Sequence, residues 1–234
     1  MPSSARSRAA PLLEASLAGA APDDPNPSID AARVREALRR ARRTIDRHAA
    51  ALTRLDAVLG DGDHGDNLST GFRAVEELLD ELPPETSPGD LLRAVGHRLV
   101  ATVGGASGPL FGTAFIEAGF RAGEKDRLNP PLVGEMLRAG AAGLARRGRC
   151  SVGDKTILDT LQPAVEAFAN TVASGGSGRE AQRAALAAGR EGMRSTVPLV
   201  ARRGLALRLG DRSAGHLDPG AVSCFLLLLA LAER

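Results

Sequence analysis

VREALRRARRTIDRHAAAL, residues 34–52, decides the fold. Its apolar positions Val34, Leu38, Ala41, Ile45, Ala49 and Leu52 recur at intervals of three and four, the spacing of one helical face, with arginines on the other. Asp30 stands where a cap belongs, so a long first helix is predicted. The same period returns at about 67–81, 89–102, 109–122, 130–147, 155–173, 178–201 and 219–233, giving eight helices. No run of alternating β-branched or aromatic residues lies between hairpin turns, so the expected fold class is all-α. Pro83-Pro84, Pro130-Pro131 and the glycine-rich 174–178 stretch read as short connectors within one domain.

Composition narrows the partners. With 234 residues, 43% of them hydrophobic and 25% charged, the chain can bury one core. Its 30 basic side chains, all arginine except Lys125 and Lys155, nearly balance 28 acidic ones. No basic run is interleaved with aromatics, so no nucleic acid is expected as partner. Arg35, Arg39, Arg42 and Arg43 read as a solvated face. Cys150 and Cys224 fit neither a zinc site nor a disulfide framework, which suits a reducing, cytoplasmic setting. Residues 221–232 are almost wholly apolar, yet this run is too short for a bilayer, which takes about 20 residues; a buried helix and no membrane are expected. Residues 1–28 read as a flexible N-terminal extension and residues 29–234 as the folded domain.

Four connections carry far more Gly, Asp, Ser and Thr than turns require, and they fall at alternate turns of the chain, which in an up-and-down bundle share one end of the molecule. GDGDHGDN, residues 60–67, sets Asp61 and Asp63 two apart with Asp56 upstream, so that hard oxygens can converge on a cation. The competing account is an ordinary polar turn with a helix cap. An EF-hand is excluded, since Asp66 and Phe72 stand where its glycine and glutamate belong. GGASGPLFGT, residues 104–113, offers small residues and the Ser107 hydroxyl before a helix, suited to phosphate or simply to close helix packing. GDKT, residues 153–156, fails as a P-loop because Asp154 intervenes between Gly153 and Lys155. It leaves Asp154 as an expected cap, Thr156 in reach of phosphate, and Lys155 facing an anion or water. GHLDPGA, residues 215–221, reads as a capped helix start with Asp218 before Pro219. His64 adjoins the carboxylates and is suited to donate to phosphate.

Taken together, the four motifs resemble the L subunit, the nucleotide-binding DhaL-like domain, of the dihydroxyacetone kinase family. They occur in its order and at comparable spacing, from about Ile29 to the end of the chain. The resemblance implies a barrel of eight antiparallel helices holding ATP or ADP and two Mg²⁺ ions at one end. It implies that Asp56, Asp61 and Asp63 hold the metal, and that His64, Gly65, Asp66, Asn67, Ala106 and Ser107 surround the phosphates. Gly148, Thr156, Ile157, Asp218, Pro219 and Gly220 would complete the nucleotide pocket, with no catalytic residue assigned on this chain. His64 stands where the related fatty-acid kinases carry threonine. One departure concerns RGLALRLG, residues 203–210, where Leu205 replaces an arginine expected at the nucleotide and Arg208 is the candidate substitute.

In that family the ketose is carried by a separate K subunit, bound covalently to a histidine there. One form takes phosphate from ATP directly; another keeps ADP bound and recharges it from a phosphotransferase-system protein. Direct transfer from Mg-ATP to dihydroxyacetone or a related small ketose is the leading expectation. The ADP-carrying form and a non-catalytic Mg-nucleotide-binding regulatory module are its rivals.

Overall fold

The structure is a computed structural model that describes Asn26 and residues 28–232. The expectation of a flexible extension over 1–28 falls almost wholly outside these residues. Eight α-helices are present among them: α1 (Ala31–Leu59), α2 (His64–Glu81), α3 (Pro88–Thr102), α4 (Ser107–Ala122), α5 (Pro130–Gly148), α6 (Ile157–Ala173), α7 (Gly178–Ser195) and α8 (Pro219–Ala232). A 3₁₀ segment, Leu205–Ser213, lies between α7 and α8. The described residues form no strand; one isolated antiparallel bridge joins Ile29 to Leu128.

Each helix packs on the next, and α8 closes the ring by lying against α1, α6 and α7. That placement explains the composition of α8. A helix with neighbours on several sides has no wet face, so its residues are apolar all round, including buried Phe225, Leu226 and Leu227. The main core runs from Leu38, Ile45 and Leu52 of α1 through Leu68, Phe72 and Val75 of α2 to Leu91, Val95 and Leu99 of α3.

Glycine permits close helix approach. On α3 and α4, a Cβ at Gly96 would lie 2.6 Å from the Gly112 carbonyl oxygen, and one at Gly112 would lie 2.6 Å from that of Gly96. The two backbones meet at this point, and the small residues of the GGASGPLFGT stretch serve packing as well as loop geometry.

The arginines of α1 are not simply a solvated face. Arg35 donates to the carbonyls of Leu79 and Leu82 at the C-terminal end of α2, and to that of Pro83 just beyond it. Arg39 pairs with Asp80, and Arg42 with Asp46 and Glu76. The α1–α2 pair is thus riveted by charge along the edge away from its apolar stripe. No described helix is long and apolar enough to cross a membrane. Cys150 and Cys224 are free, buried thiols.

Candidate nucleotide and metal site

All four motifs border a single cavity of about 430 Å³ at one end of the ring. Its wall takes Asp56, Asp61, Asp63, His64 and Asn67 from the α1–α2 turn, and Gly104 to Ser107 from the α3–α4 turn. Gly148, Cys150, Lys155, Thr156 and Ile157 come from the α5–α6 connection, and Arg203 to Ala206 with Asp218 to Gly220 from the α7–α8 connection. Two sequence-assigned residues do not face it. Asp66 is exposed in the first turn of α2, and Gly65 is buried against α1, where a Cβ would stand 2.0 Å from the Ala49 carbonyl oxygen.

The acidic cluster is built from a helix end outward. Asp56 is not a loop residue but lies in the last turn of α1, buried, and its Oδ2 accepts from the amides of Gly62 at 2.9 Å, Asp63 at 3.0 Å and His64 at 3.2 Å. One carboxylate oxygen therefore folds the turn and serves the first amide of α2. Carboxylate oxygens of Asp56, Asp61 and Asp63 lie within 4.8 Å of one another, Asp56 buried and the other two exposed. Gly60 makes room for this: a Cβ there would come within 2.3 Å of Asp56 Oδ1. The donor set, all hard oxygen, fits Mg²⁺ and not a thiophilic metal. Gly60→Ala is accordingly expected to weaken Mg²⁺-dependent nucleotide binding about tenfold while far-UV circular dichroism stays unchanged, since only one carboxylate oxygen is pushed from its place.

The N-terminus of α4 borders the same cavity as the carboxylates. The other α-helices have a side-chain oxygen on their first turn: Asp30, Asp56, Ser87, Asn129, Thr156, Ser177 and Asp218 serve α1, α2, α3, α5, α6, α7 and α8. On α4 the cap position is Ala106, and no side chain caps it. A helix start that borders a cavity with its amides uncapped is suited to an anion, and the helix dipole favours negative charge there. Gly104 keeps the approach open, because a Cβ would collide with the Asn67 side chain at 2.9 Å.

His64 links the two halves. Its Nδ1 lies 3.1 Å from Ser107 Oγ and its Nε2 lies 2.9 Å from Ser223 Oγ. Ser223 Oγ donates to the Gly220 carbonyl, so it accepts from Nε2–H, and Nδ1 is left to accept from the Ser107 hydroxyl. Burial lowers the His64 pKa, against the pull of Asp56 and Asp63, which suits this neutral ring. The imidazole thus orients Ser107, the first residue of α4, and both of its nitrogens are already engaged within the protein.

The GDKT segment departs from expectation. Thr156, not Asp154, caps α6, in a capping box with Asp159. The Asp154 carboxylate instead accepts from the Ser151 amide and pairs with Arg203 at 3.3 Å. Lys155 turns inward at φ +64°, a left-handed backbone that costs an ordinary residue about 1–3 kcal/mol, and it is 2% exposed. It borders the cavity, but its ammonium is spent on backbone: Nζ donates to the carbonyls of Thr196 and His216, and desolvation lowers its pKa against the pull of Asp218 and Asp159. Desolvation likewise raises Asp218 to about 7, opposed by the Ala221 amide and Lys155. The arginines on the cavity wall are Arg147 and Arg203. Arg208 is exposed and stands off it, while Leu205, 40% exposed, does line it. Sequence reading missed Arg147 and Arg203, because nothing in the sequence around either arginine distinguishes a cavity rim from open surface.

An all-helical ring with a carboxylate trio and an uncapped helix N-terminus on one cavity has the make-up of a metal–polyphosphate site, built among the described residues with neither a strand nor a P-loop. Residues 58–233 match the DAK2 domain, and the chain belongs to that family, the L subunits of dihydroxyacetone kinases. It is 42% identical over 193 residues to the PEP-dependent dihydroxyacetone kinase 2, ADP-binding subunit DhaL, of Listeria innocua, across 81% of this chain and 88% of that one. It is 40% identical over 185 residues to the PEP-dependent dihydroxyacetone kinase, ADP-binding subunit DhaL, of Escherichia coli, across 78% and 88%. The fold matches the crystal structure of the dihydroxyacetone kinase from C. freundii in complex with AMP-PNP and Mg²⁺, with a TM-score of 0.66 and 28% identity, covering 88% of this chain and 34% of that one.

Proposed function

We propose that this chain is the nucleotide-carrying subunit of a ketose kinase: it holds ADP with Mg²⁺ in the cavity, accepts a phosphoryl group from a phosphotransferase-system protein, and delivers it to dihydroxyacetone or a related small ketose on a K subunit. The observation that carries this reading is the convergence of the Asp56, Asp61 and Asp63 oxygens within 4.8 Å at the mouth that α4 borders with an uncapped N-terminus. The ADP-binding relatives support the carrier form over direct use of ATP. The fold match to a kinase crystallised with AMP-PNP and Mg²⁺ keeps direct transfer as the second reading.

Phosphoryl transfer asks a protein chiefly for position and charge compensation. Mg²⁺ held by these carboxylates, two ions in the reading proposed here, would supply positive charge to offset that of the transferred group. Asp56, Asp61 and Asp63 supply the ligand oxygens, and Asp56 also fixes the turn that carries the other two. The first turn of α4, with Ser107 held by His64, receives phosphate oxygens. Leu110, Leu144 and Ile157 give the deeper wall an apolar surface for the base.

Reconstitution tests the reading. The purified chain is combined with a K subunit, ketose and Mg²⁺, and supplied either with ATP or with phosphoenolpyruvate and phosphotransferase proteins. Ketose phosphate is expected with the second donor, with ADP remaining on the chain, and Asp61→Asn is expected to lower turnover about 100-fold or more. Formation with ATP alone would select the direct route. Binding of Mg-nucleotide without transfer from either donor would leave only a regulatory module.

A further inference from the structure

We propose that Lys155 is a positioning residue that latches one wall of the nucleotide cavity and so sets how slowly the nucleotide leaves. This rests on the nucleotide-binding reading above.

The wall in question is the connection between α7 and α8, residues 196–218. It is long for a turn between adjacent helices, and Gly204, Gly210 and Gly215 each take positive φ within it. Its two ends are drawn together into a loop: the Gly215 amide donates to the Val197 carbonyl at 2.7 Å, and the Asp218 amide donates to Thr196 Oγ1 at 3.1 Å. Inside, the Ala201 amide donates to Ser213 Oγ at 2.8 Å. A small apolar patch, Leu59 with Ala201, Ala206 and Leu209, packs it onto the body.

What ties the loop down is a pair of neighbouring residues from another connection. Lys155 Nζ donates at 2.5 Å to the Thr196 carbonyl at one end of the loop and at 2.5 Å to the His216 carbonyl at the other. The Asp154 carbonyl accepts from the Arg202 amide at 3.0 Å, and its carboxylate pairs with Arg203. A buried ammonium shared between two carbonyls of one closed loop holds both ends against a single point, immediately before Thr156, the cap of α6. The loop supplies Arg203 to Ala206 and leads into Asp218, Pro219 and Gly220 on the cavity wall. The metal cluster and the start of α4 lie on other elements and do not use this latch. Breaking it should therefore open the side wall while leaving the phosphate end intact.

The test separates the two ends. Release of a fluorescent N-methylanthraniloyl-ADP from its Mg²⁺ complex is followed by stopped flow after a chase with excess ADP, and Mg²⁺-dependent affinity for inorganic pyrophosphate is measured beside it. Lys155→Met is expected to release the nucleotide about 10- to 100-fold faster than the unaltered protein, with pyrophosphate affinity within about twofold. Thr196→Ala, which removes the acceptor for the Asp218 amide and the hydroxyl bond to the Met193 carbonyl but leaves the Lys155 acceptor carbonyls in place, is expected to shift release in the same direction by less, and it carries the test should Lys155→Met fail to fold. Unchanged release in these variants overturns the latch. Equal loss of pyrophosphate and nucleotide binding also overturns it, because Lys155 would then support the whole site. An unaltered protein that binds neither ligand removes the nucleotide reading itself, and the latch with it.

Discussion

Asp56→Ala is expected to lower affinity for Mg-ADP by at least about 1000-fold, more than Asp61→Asn or Asp63→Asn, each expected at about 10- to 100-fold. Hydrogen bonds to charged groups contribute roughly 1.5–3 kcal/mol each, and three backbone amides, those of Gly62, Asp63 and His64, converge on Asp56 Oδ2. Removing this carboxylate would delete a proposed metal ligand and also free the turn that carries the other two. In the proposed site the exposed Asp61 and Asp63 would only supply oxygen ligands, whereas the amides of the turn converge on Asp56. Isothermal titration with Mg²⁺ and ADP reads the order directly. An Asp56 variant no weaker than an Asp61 variant would contradict the view that the last turn of α1 organises the site.

Gly65→Ala is expected to lower the melting temperature by about 6–12 °C, and to do so without any nucleotide present. The added Cβ would stand 2.0 Å from the Ala49 carbonyl oxygen and 2.7 Å from Thr53 Oγ1, and the first of these is backbone, which cannot swing aside. Overpacking of this kind costs up to about 3 kcal/mol. For a chain of this size each kcal/mol moves the midpoint by roughly 2–4 °C. Scanning calorimetry of the ligand-free protein gives the result. Full stability together with lost nucleotide affinity would instead return Gly65 to the phosphate site, as its place in the GDGDHG motif suggests.

These two residues show where sequence and structure part. The period of Val34, Leu38, Ala41, Ile45 and Leu52 reveals α1 but not its end, because Asp56 is a carboxylate on the buried face and breaks the apolar stripe while the helix continues to Leu59. Motif spacing brought Gly65 and Asp66 into the site along with their neighbours, yet a helix starting at His64 turns them to α1 and to solvent. At the other end of the chain, Val197, Leu199 and Val200 extend the apolar period of α7 beyond its true limit at Ser195. Pro198 lacks the amide a further turn needs, and the Thr196 hydroxyl donates to the Met193 carbonyl at the helix end. The gathering of four polar turns at one mouth was legible, since alternate turns of an up-and-down ring share an end. The inward course of Lys155 was not, because its partners are backbone carbonyls 41 and 61 residues away and carry no side-chain signature.

The start of α4 is prepared ahead of its ligand. Seven of the described helices spend a side-chain oxygen on their first turn, and the remaining one has Ala106 at its cap and begins at Ser107, whose hydroxyl is held by His64. The free amides of this turn border the cavity, and the Ser107 hydroxyl proton is held on His64, so the amides are ready and little reorganisation is asked of the backbone when a polyphosphate arrives.

A crystal structure of the chain grown with Mg²⁺ and ADP tests the central claim most directly. The account predicts metal bound by Asp56, Asp61 and Asp63, with the phosphates against the first turn of α4 and the base between Leu110, Leu144 and Ile157. Nucleotide bound elsewhere on the ring, or phosphates held without those three carboxylates, would contradict it.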